Sequence, residues 1–300
     1  MLSAFNFSFN FRRLETSILM KRIVISLLLA VVCTLGSSAQ TPEDSTAFFN
    51  GKWEQTRLGK GAVAVTVRAE MFDSQQLITF IRYPVRRFRT EILDRSGEKA
   101  GKTSVLASDA KARFAINGGY FNGDYTATSF FKTENVIHRD STSARSDTRC
   151  NGAVCVNRSG RKIVIKPCRY TEHKTGTCEF YSVLTCGPVL LHEGEVYELR
   201  DLSQGFVFKR HPRTIFGIDG KGYAYMIVID GRHKGQAAGA TIPEATFISR
   251  ILGLKDAINL DGGGSSTIWS EDAGVMNYPC DNRKFDHEGE RKIPNLIIAR

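Results

Sequence analysis

The sequence is poor in the patterns that announce metal or serine chemistry. It has no CxxC pair, and its six histidines, at 138, 173, 192, 211, 233 and 287, stand too far apart to share a metal at the usual ligand spacing. No serine lies in a GxSxG context, which removes the nucleophile elbow of the common serine hydrolases. There are no internal repeats and no low-complexity linker, so a solenoid or a linker-joined array is excluded. The net charge of +10 is spread along the chain, apart from "RYPVRRFRTE" at 82–91. The clearest apolar run, at the N-terminus, is too short for a membrane helix.

That run has a purpose of its own. Residues 20–39, "MKRIVISLLLAVVCTLGSSA", have a basic start, an apolar middle and a small-residue end, the pattern of a secretory signal peptide. Met20 is the natural start, and residues 1–39 are set apart as an N-terminal extension and signal peptide. Val32 precedes Cys33 where a lipoprotein signal wants a small residue, which disfavours a lipid anchor. The protein is expected to be exported, to the periplasm, the cell surface or the medium. Six cysteines follow residue 39, five of them between 150 and 186, and an even count in an exported chain predicts disulfides. Outside the cytoplasm a basic protein has no nucleic acid to meet, whereas a phosphorylated sugar is a suitable anionic partner. No integral membrane segment is expected in the mature chain.

Along the remainder, strand signals dominate. "GAVAVTVRAEM" (61–71) alternates apolar and polar residues, with "LITFIRY" (77–83) as its partner. "TSVLASDA" (103–110) reads as a short helix before a buried strand in "RFAINGGYF" (113–121), and 122–149 reads as a polar, mobile stretch. Hairpins are expected around Arg158-Ser159-Gly160, around Glu193-Gly194 and, most strongly, around Asp219-Gly220-Lys221-Gly222. "TIPEATFISRILGL" (241–254) is the clearest helix, with Thr241 as N-cap, Glu244 completing a capping box and Gly253 as the stop. "AINL" and "IPNLIIAR" are short buried strands. The pattern predicts an α+β fold: a single domain on a large mixed, mainly antiparallel sheet with a few flanking helices.

Three apolar strands end in Asn or Asp followed by glycine: "INGGYF", "VIDGR" and "NLDGGGSST". Such ends let backbone approach a ligand closely, because glycine carries no Cβ. Asp261 would be rigidly placed and partly desolvated, with the amides of Gly262, Gly263 and Gly264 and the hydroxyls of Ser265, Ser266 and Thr267 available to an anion. Arg213 and Arg232 fall near the same end of the strongest hairpin as Asp230, and a guanidinium matches phosphate bidentately. An Asx-capped glycine turn and an ordinary Asp-Gly turn explain these motifs singly; their recurrence argues for a site.

The motifs "INGGYF", "GPVLL" with "EGE", "RTIFGID", "VIDGR", "AGATIPE", "NLDGGGSST" and "RKIPNLIIA" stand in the order seen in the phosphodiester glycosidase family, which the chain resembles over roughly 60–300. The resemblance implies a phosphodiester glycosidase-like domain over 40–300 and hydrolysis of a sugar-1-phosphodiester to free sugar and a phosphomonoester. It carries over Asn117, Gly118, Gly119, Arg213, Asp230, Gly231, Arg232, Glu244, Asp261, Gly262, Gly263, Ser265 and Ser266. Cleavage at an anomeric carbon passes through an oxocarbenium-like state that a carboxylate stabilises. Asp261 or Asp230 would be base or nucleophile, the other orienting; Glu244 is the third catalytic candidate, though its capping box already explains it. No cofactor is expected; carboxylates, serines and backbone oxygens leave room for a structural calcium. The alternative is a non-catalytic glycan- or phosphate-binding protein on the same scaffold.

Overall fold

The computed structural model describes residues 41–142, 149–199 and 202–300. The expected extension and signal peptide, 1–39, lie outside the described residues. The fold is α+β, with strands in three main sheets and four helices among the described residues. The largest sheet has eight strands, in the order Lys52–Arg57, Val63–Met71, Ser74–Pro84, Tyr223–Ile229, Arg213–Ile218, Asp256–Asn259, Val189–His192 and Glu195–Val196. Every pairing in it is antiparallel, where the sequence suggested a mixed sheet. The reason lies in the helix Ile242–Ile251, which carries the chain past Arg213–Ile218 to its free edge. Asp256–Asn259 therefore runs in the same direction as Tyr223–Ile229 without touching it.

The pleat sorts side chains by parity. From Tyr223–Ile229, residues Tyr225, Ile227 and Ile229 pack with Ile242, Ala245 and Ile248 of the helix and with Phe48 of the helix Pro42–Asn50. Ala224, Met226 and Val228 face the other way, into a second core shared with two five-stranded sheets. One of these is ordered Ile163–Pro167, Gly152–Val156, Ser182–Cys186, Phe131–Thr133, Val136–Arg139; the other Gly274–Val275, Ile268–Ser270, Phe114–Asn117, Asn295–Ala299, Thr90–Asp94. The outer face of the latter is covered by Leu106, Ala107 and Ala110 from and just after the helix Thr103–Asp109. A fourth helix, Gln204–Phe208, precedes Arg213–Ile218. No helix among the described residues is long and apolar enough to cross a membrane.

The capping box predicted at Thr241 is present: the Thr241 hydroxyl accepts from the Glu244 amide, and the Glu244 carboxylate accepts from the Thr241 amide. The stretch 122–149 departs from expectation, because Phe131–Thr133 and Val136–Arg139 form a hairpin within it. Its turn uses Glu134 and Asn135, both at positive φ, instead of the Asn-Gly that would have flagged it.

The disulfide expectation is also corrected. No disulfide joins any of Cys150, Cys155, Cys168, Cys178, Cys186 and Cys280. Strand alternation separates the clustered ones: Cys155 faces outward with Phe130, Cys168 and Val183, whereas Cys186 faces the inter-sheet core. Five of the six are buried and behave as small apolar groups. Burial pushes the Cys168 thiol up to about 12, which keeps it protonated.

Candidate functional site

Strand direction gathers the site. Arg213–Ile218 lies between two strands that run opposite to it, with Arg213 paired to Ile229 and Ile215 to Asn259. The start of one strand and the ends of the other two therefore share one edge of the sheet, which brings Arg213, Asp230 and the loop 261–266 together. The end of Phe114–Asn117 arrives from the neighbouring sheet. There the Asp261 amide donates to the Gly118 carbonyl at 3.0 Å.

Asp261 is half-exposed, and its carboxylate is approached by the Gly262 amide and the Ser265 hydroxyl of its own loop. Burial lifts its pKa to about 6, against the Ser265 hydroxyl, the Arg291 guanidinium, the Gly262 amide and Arg149, which all pull it down. The Ser265 hydroxyl is fully buried beside it, close enough to lower the value yet without a well-formed bond to any described residue. An acid that is desolvated, near two arginines and approached only by its own loop has the properties of a reactive carboxylate.

Asp230 differs. It is 1% exposed, accepts from Asn277 Nδ2 at 2.8 Å, and accepts the Tyr278 amide on both oxygens at 3.1 and 3.2 Å. Burial raises it to about 7 despite those donors. Pleat parity turns it toward the five-stranded sheets, while Arg213, paired with Ile229, faces the helices. Asp230 lies closed beneath the loop. It reaches Asp261 through a buried polar chain. Asn277 Nδ2 donates to the Ser266 carbonyl, the Ser266 hydroxyl lies 3.2 Å from the Thr214 hydroxyl, and Thr214 donates to Asn117 Oδ1 at 2.8 Å. Asn117 Nδ2 then donates to the Asp261 carbonyl at 2.7 Å.

The glycine loop serves the fold more than the sequence suggested. The Gly263 amide donates to Pro212, Ser265 to Gly262 and Ser266 to Gly263, which leaves Gly264 with the one loop amide that lacks a partner among the described residues. A Cβ on Gly262 would sit 2.5 Å from the Pro212 carbonyl oxygen, and one on Gly264 2.2 Å from Asp281 Oδ1. The absent side chains thus admit the protein's own groups, and the expected cradle of three anion-facing amides is reduced to one. Gly118 and Gly119 are likewise held by Asn295, and Gly231 lies against Gly239.

Among the other predicted residues, Arg213 is buried, with Nε donating to the Ala240 carbonyl at 2.8 Å and Nη2 to those of Phe206 and Lys209 at 3.0 and 3.2 Å. Burial draws it down to about 10. Arg232 is exposed, with Nη2 3.4 Å from His211 Nδ1. Glu244 has no free oxygen: besides the capping box, both oxygens accept from Arg210, at 3.1 and 2.6 Å. Both oxygens are thus committed to hydrogen bonds within the fold.

Sequence reasoning missed Arg149, Tyr120, His211, Asn277, Tyr278 and the Asp281–Arg291 pair at 2.6 Å. His211 is lowered to about 4 by burial, then by Arg213, Arg232 and Lys209, and is neutral near pH 7. Tyr120 follows Gly119 in "INGGYF" but is neither Asn nor Asp, and the others stood in no glycine motif, the one signal used. Among the described residues no three His, Cys, Asp or Glu side chains converge to hold a metal. A concavity of about 360 Å³, lined by Gly97, Glu98, Ala100, Asp124, Tyr125 and Lys292, contains none of these groups, so concavity does not mark the site.

The chain is similar in fold to proteins of known structure. A hypothetical protein from Synechocystis is similar in structure with a TM-score of 0.66 at 13% identity, covering 83% of this chain and 63% of that one, so the chain spans just under two thirds of that protein. The catalytic domain of zebrafish N-acetylglucosamine-1-phosphodiester alpha-N-acetylglucosaminidase, auto-inhibited by its pro-peptide, is similar with a TM-score of 0.62 at 18% identity, covering 87% of this chain and 95% of that domain. At such identities the likeness is one of fold. No curated protein matches by sequence. The model of the family described as phosphodiester glycosidase matches residues 110–300, a span that holds Asn117, Arg213, Asp230 and Asp261. The chain belongs to the phosphodiester glycosidase family.

Proposed function

We propose that the protein is an exported hydrolase that cleaves a sugar-1-phosphodiester, releasing the sugar and a phosphomonoester. The observation that carries this reading is Asp261: a half-exposed carboxylate with a pKa near 6, approached only by its own loop and lying near Arg291 and Arg149. The family and the likeness to the zebrafish domain support the reaction class. The N-terminal pattern at 20–39 supports export, and the matched span supports a phosphodiester glycosidase-like domain over 40–300.

In this reading water adds across the bond between the anomeric carbon and the bridging oxygen. Positive charge builds on the sugar ring as the bond stretches, and ionised Asp261 stabilises it, either by taking a proton from water or by bonding the anomeric carbon. The phosphate leaves as an anion of a strong acid, so cationic donors are a better match for it than a proton donor. Arg213, Arg232 and the Gly264 amide are the donors; Asn117, Gly118, Gly119, Gly231, Gly262, Gly263, Ser265 and Ser266 shape and hold the loop around them. Asp230 orients, by fixing Asn277 and Tyr278 beneath Asp261. Incubation with a sugar-1-phosphodiester tests the reading through free sugar and phosphomonoester in equal amounts. Binding without release over long incubation would make the protein a glycan- or phosphate-binding module instead.

A further inference from the structure

Two arginines near this site end on an acid, Arg210 on Glu244 and Arg291 on Asp281. Arg149 does not: it is exposed, and no described residue forms a hydrogen bond or ion pair with it. Its guanidinium carbon lies 4.7 Å from the centre of the Phe206 ring. The same ring carries Arg213, at 5.2 Å. Arg213 is immobilised by three carbonyls through Nε and Nη2, which leaves Nη1 without a described partner.

Two guanidiniums on one aromatic ring repel each other, and Arg149 is among the charges that lower Arg213. Arg149 also acts on Asp261, drawing it down from the value burial alone would set. Arg149 therefore lies within electrostatic reach of the half-exposed acid, and Arg213 shares its ring. The ring's π face offsets part of the repulsion and holds both planar forks in place. What is missing is a counter-ion, and an oxyanion with several acceptor oxygens supplies one.

We infer that Arg149 and Arg213, packed on Phe206, form a phosphate clamp beside Asp261, with Arg149 as its solvent-side arm. The inference rests on the proposed function for the identity of the phosphate's owner, though not for anion binding itself. Two fixed cations favour a dianion over a monoanion, so the clamp holds the phosphomonoester product more tightly than the diester substrate. Inorganic phosphate is then a competitive inhibitor.

Calorimetric titration with inorganic phosphate at low salt tests the clamp on the wild type, Arg149→Gln and Arg149→Lys. The wild type should bind, Arg149→Gln should bind at least about 10-fold more weakly, and Arg149→Lys should fall between, since lysine keeps charge and loses the fork. Arg149 is exposed and bonded to no described residue, so both variants should melt with the wild type. A wild type that binds no phosphate, or Arg149→Gln binding like the wild type, overturns the clamp. The two proposals fail separately. Arginine-dependent phosphate binding without sugar release keeps the clamp and ends the hydrolase reading. Sugar release with the same phosphate inhibition in Arg149→Gln does the reverse.

Discussion

The side-chain amide of Asn117 donates to the backbone carbonyl of Asp261 at 2.7 Å, a contact between residues 144 positions apart. The other end of the same side chain accepts from the Thr214 hydroxyl and the Thr267 amide, at 2.8 and 3.2 Å. One buried asparagine thus ties three strand ends into a single platform for the acid. Asn117→Ala should strip partners from all three and lower stability by about 3 kcal/mol, within the range for breaking a buried network. Urea unfolding of the variant measures this directly.

Glu244 gives the opposite contrast, a carboxylate belonging to the fold. Glu244→Ala removes a capping box and leaves the part-buried Arg210 without its acid, which should cost about 2–3 kcal/mol. At a temperature where the variant stays folded, kcat on a sugar-1-phosphodiester should stay within a few-fold of wild type. A loss comparable to that of Asp261→Asn would return Glu244 to the catalytic set.

The cysteines should titrate as thiols. In protein unfolded without reductant, all six from Cys150 to Cys280 should react with a thiol reagent, whereas in the native state the exposed Cys178 should react first. Two or fewer reactive thiols after unfolding would restore the disulfide reading.

The two raised aspartates set the pH dependence of stability. Their folded values, about 6 for Asp261 and about 7 for Asp230, lie above the ordinary aspartate value of 3.8 that applies to the unfolded chain. In that interval the folded protein holds protons that the unfolded chain has released. Stability should therefore be greatest near the lower value and fall as pH rises toward about 7. Melting temperatures measured across that range should decline for the wild type and decline less for Asp261→Asn.

Much of this was legible locally. The hairpin at Asp219–Gly222, the capped helix after Thr241 and the strand before Asn117 all follow from period-2 alternation, turn glycines and one capping box. The helix Pro42–Asn50 carries an equally good box, Thr41 with Asp44, and was passed over because a single short amphipathic turn stands out little. The division into three sheets was not readable, since it depends on pairings such as Leu296 with Asn117 that local pattern does not encode. In the site, strand ends marked Asp261 and Asp230 equally; burial separated them. Arg149 had no motif at all, and only the shared Phe206 ring reveals it.

The central claim is that ionised Asp261 performs the chemistry, and its pH-resolved turnover is the most direct test. On a sugar-1-phosphodiester, wild-type kcat/KM should rise about tenfold per pH unit below about 6 and level off above it, following the Asp261 carboxylate. Asp261→Asn is isosteric at a half-exposed position, so it should stay folded, within about 1 kcal/mol of wild type, and keep its phosphate affinity. Its kcat should fall at least about a hundredfold at every pH, and the inflection near 6 should vanish. Near wild-type kcat in Asp261→Asn, with the inflection intact, would contradict the account and make Asp261 a turn residue.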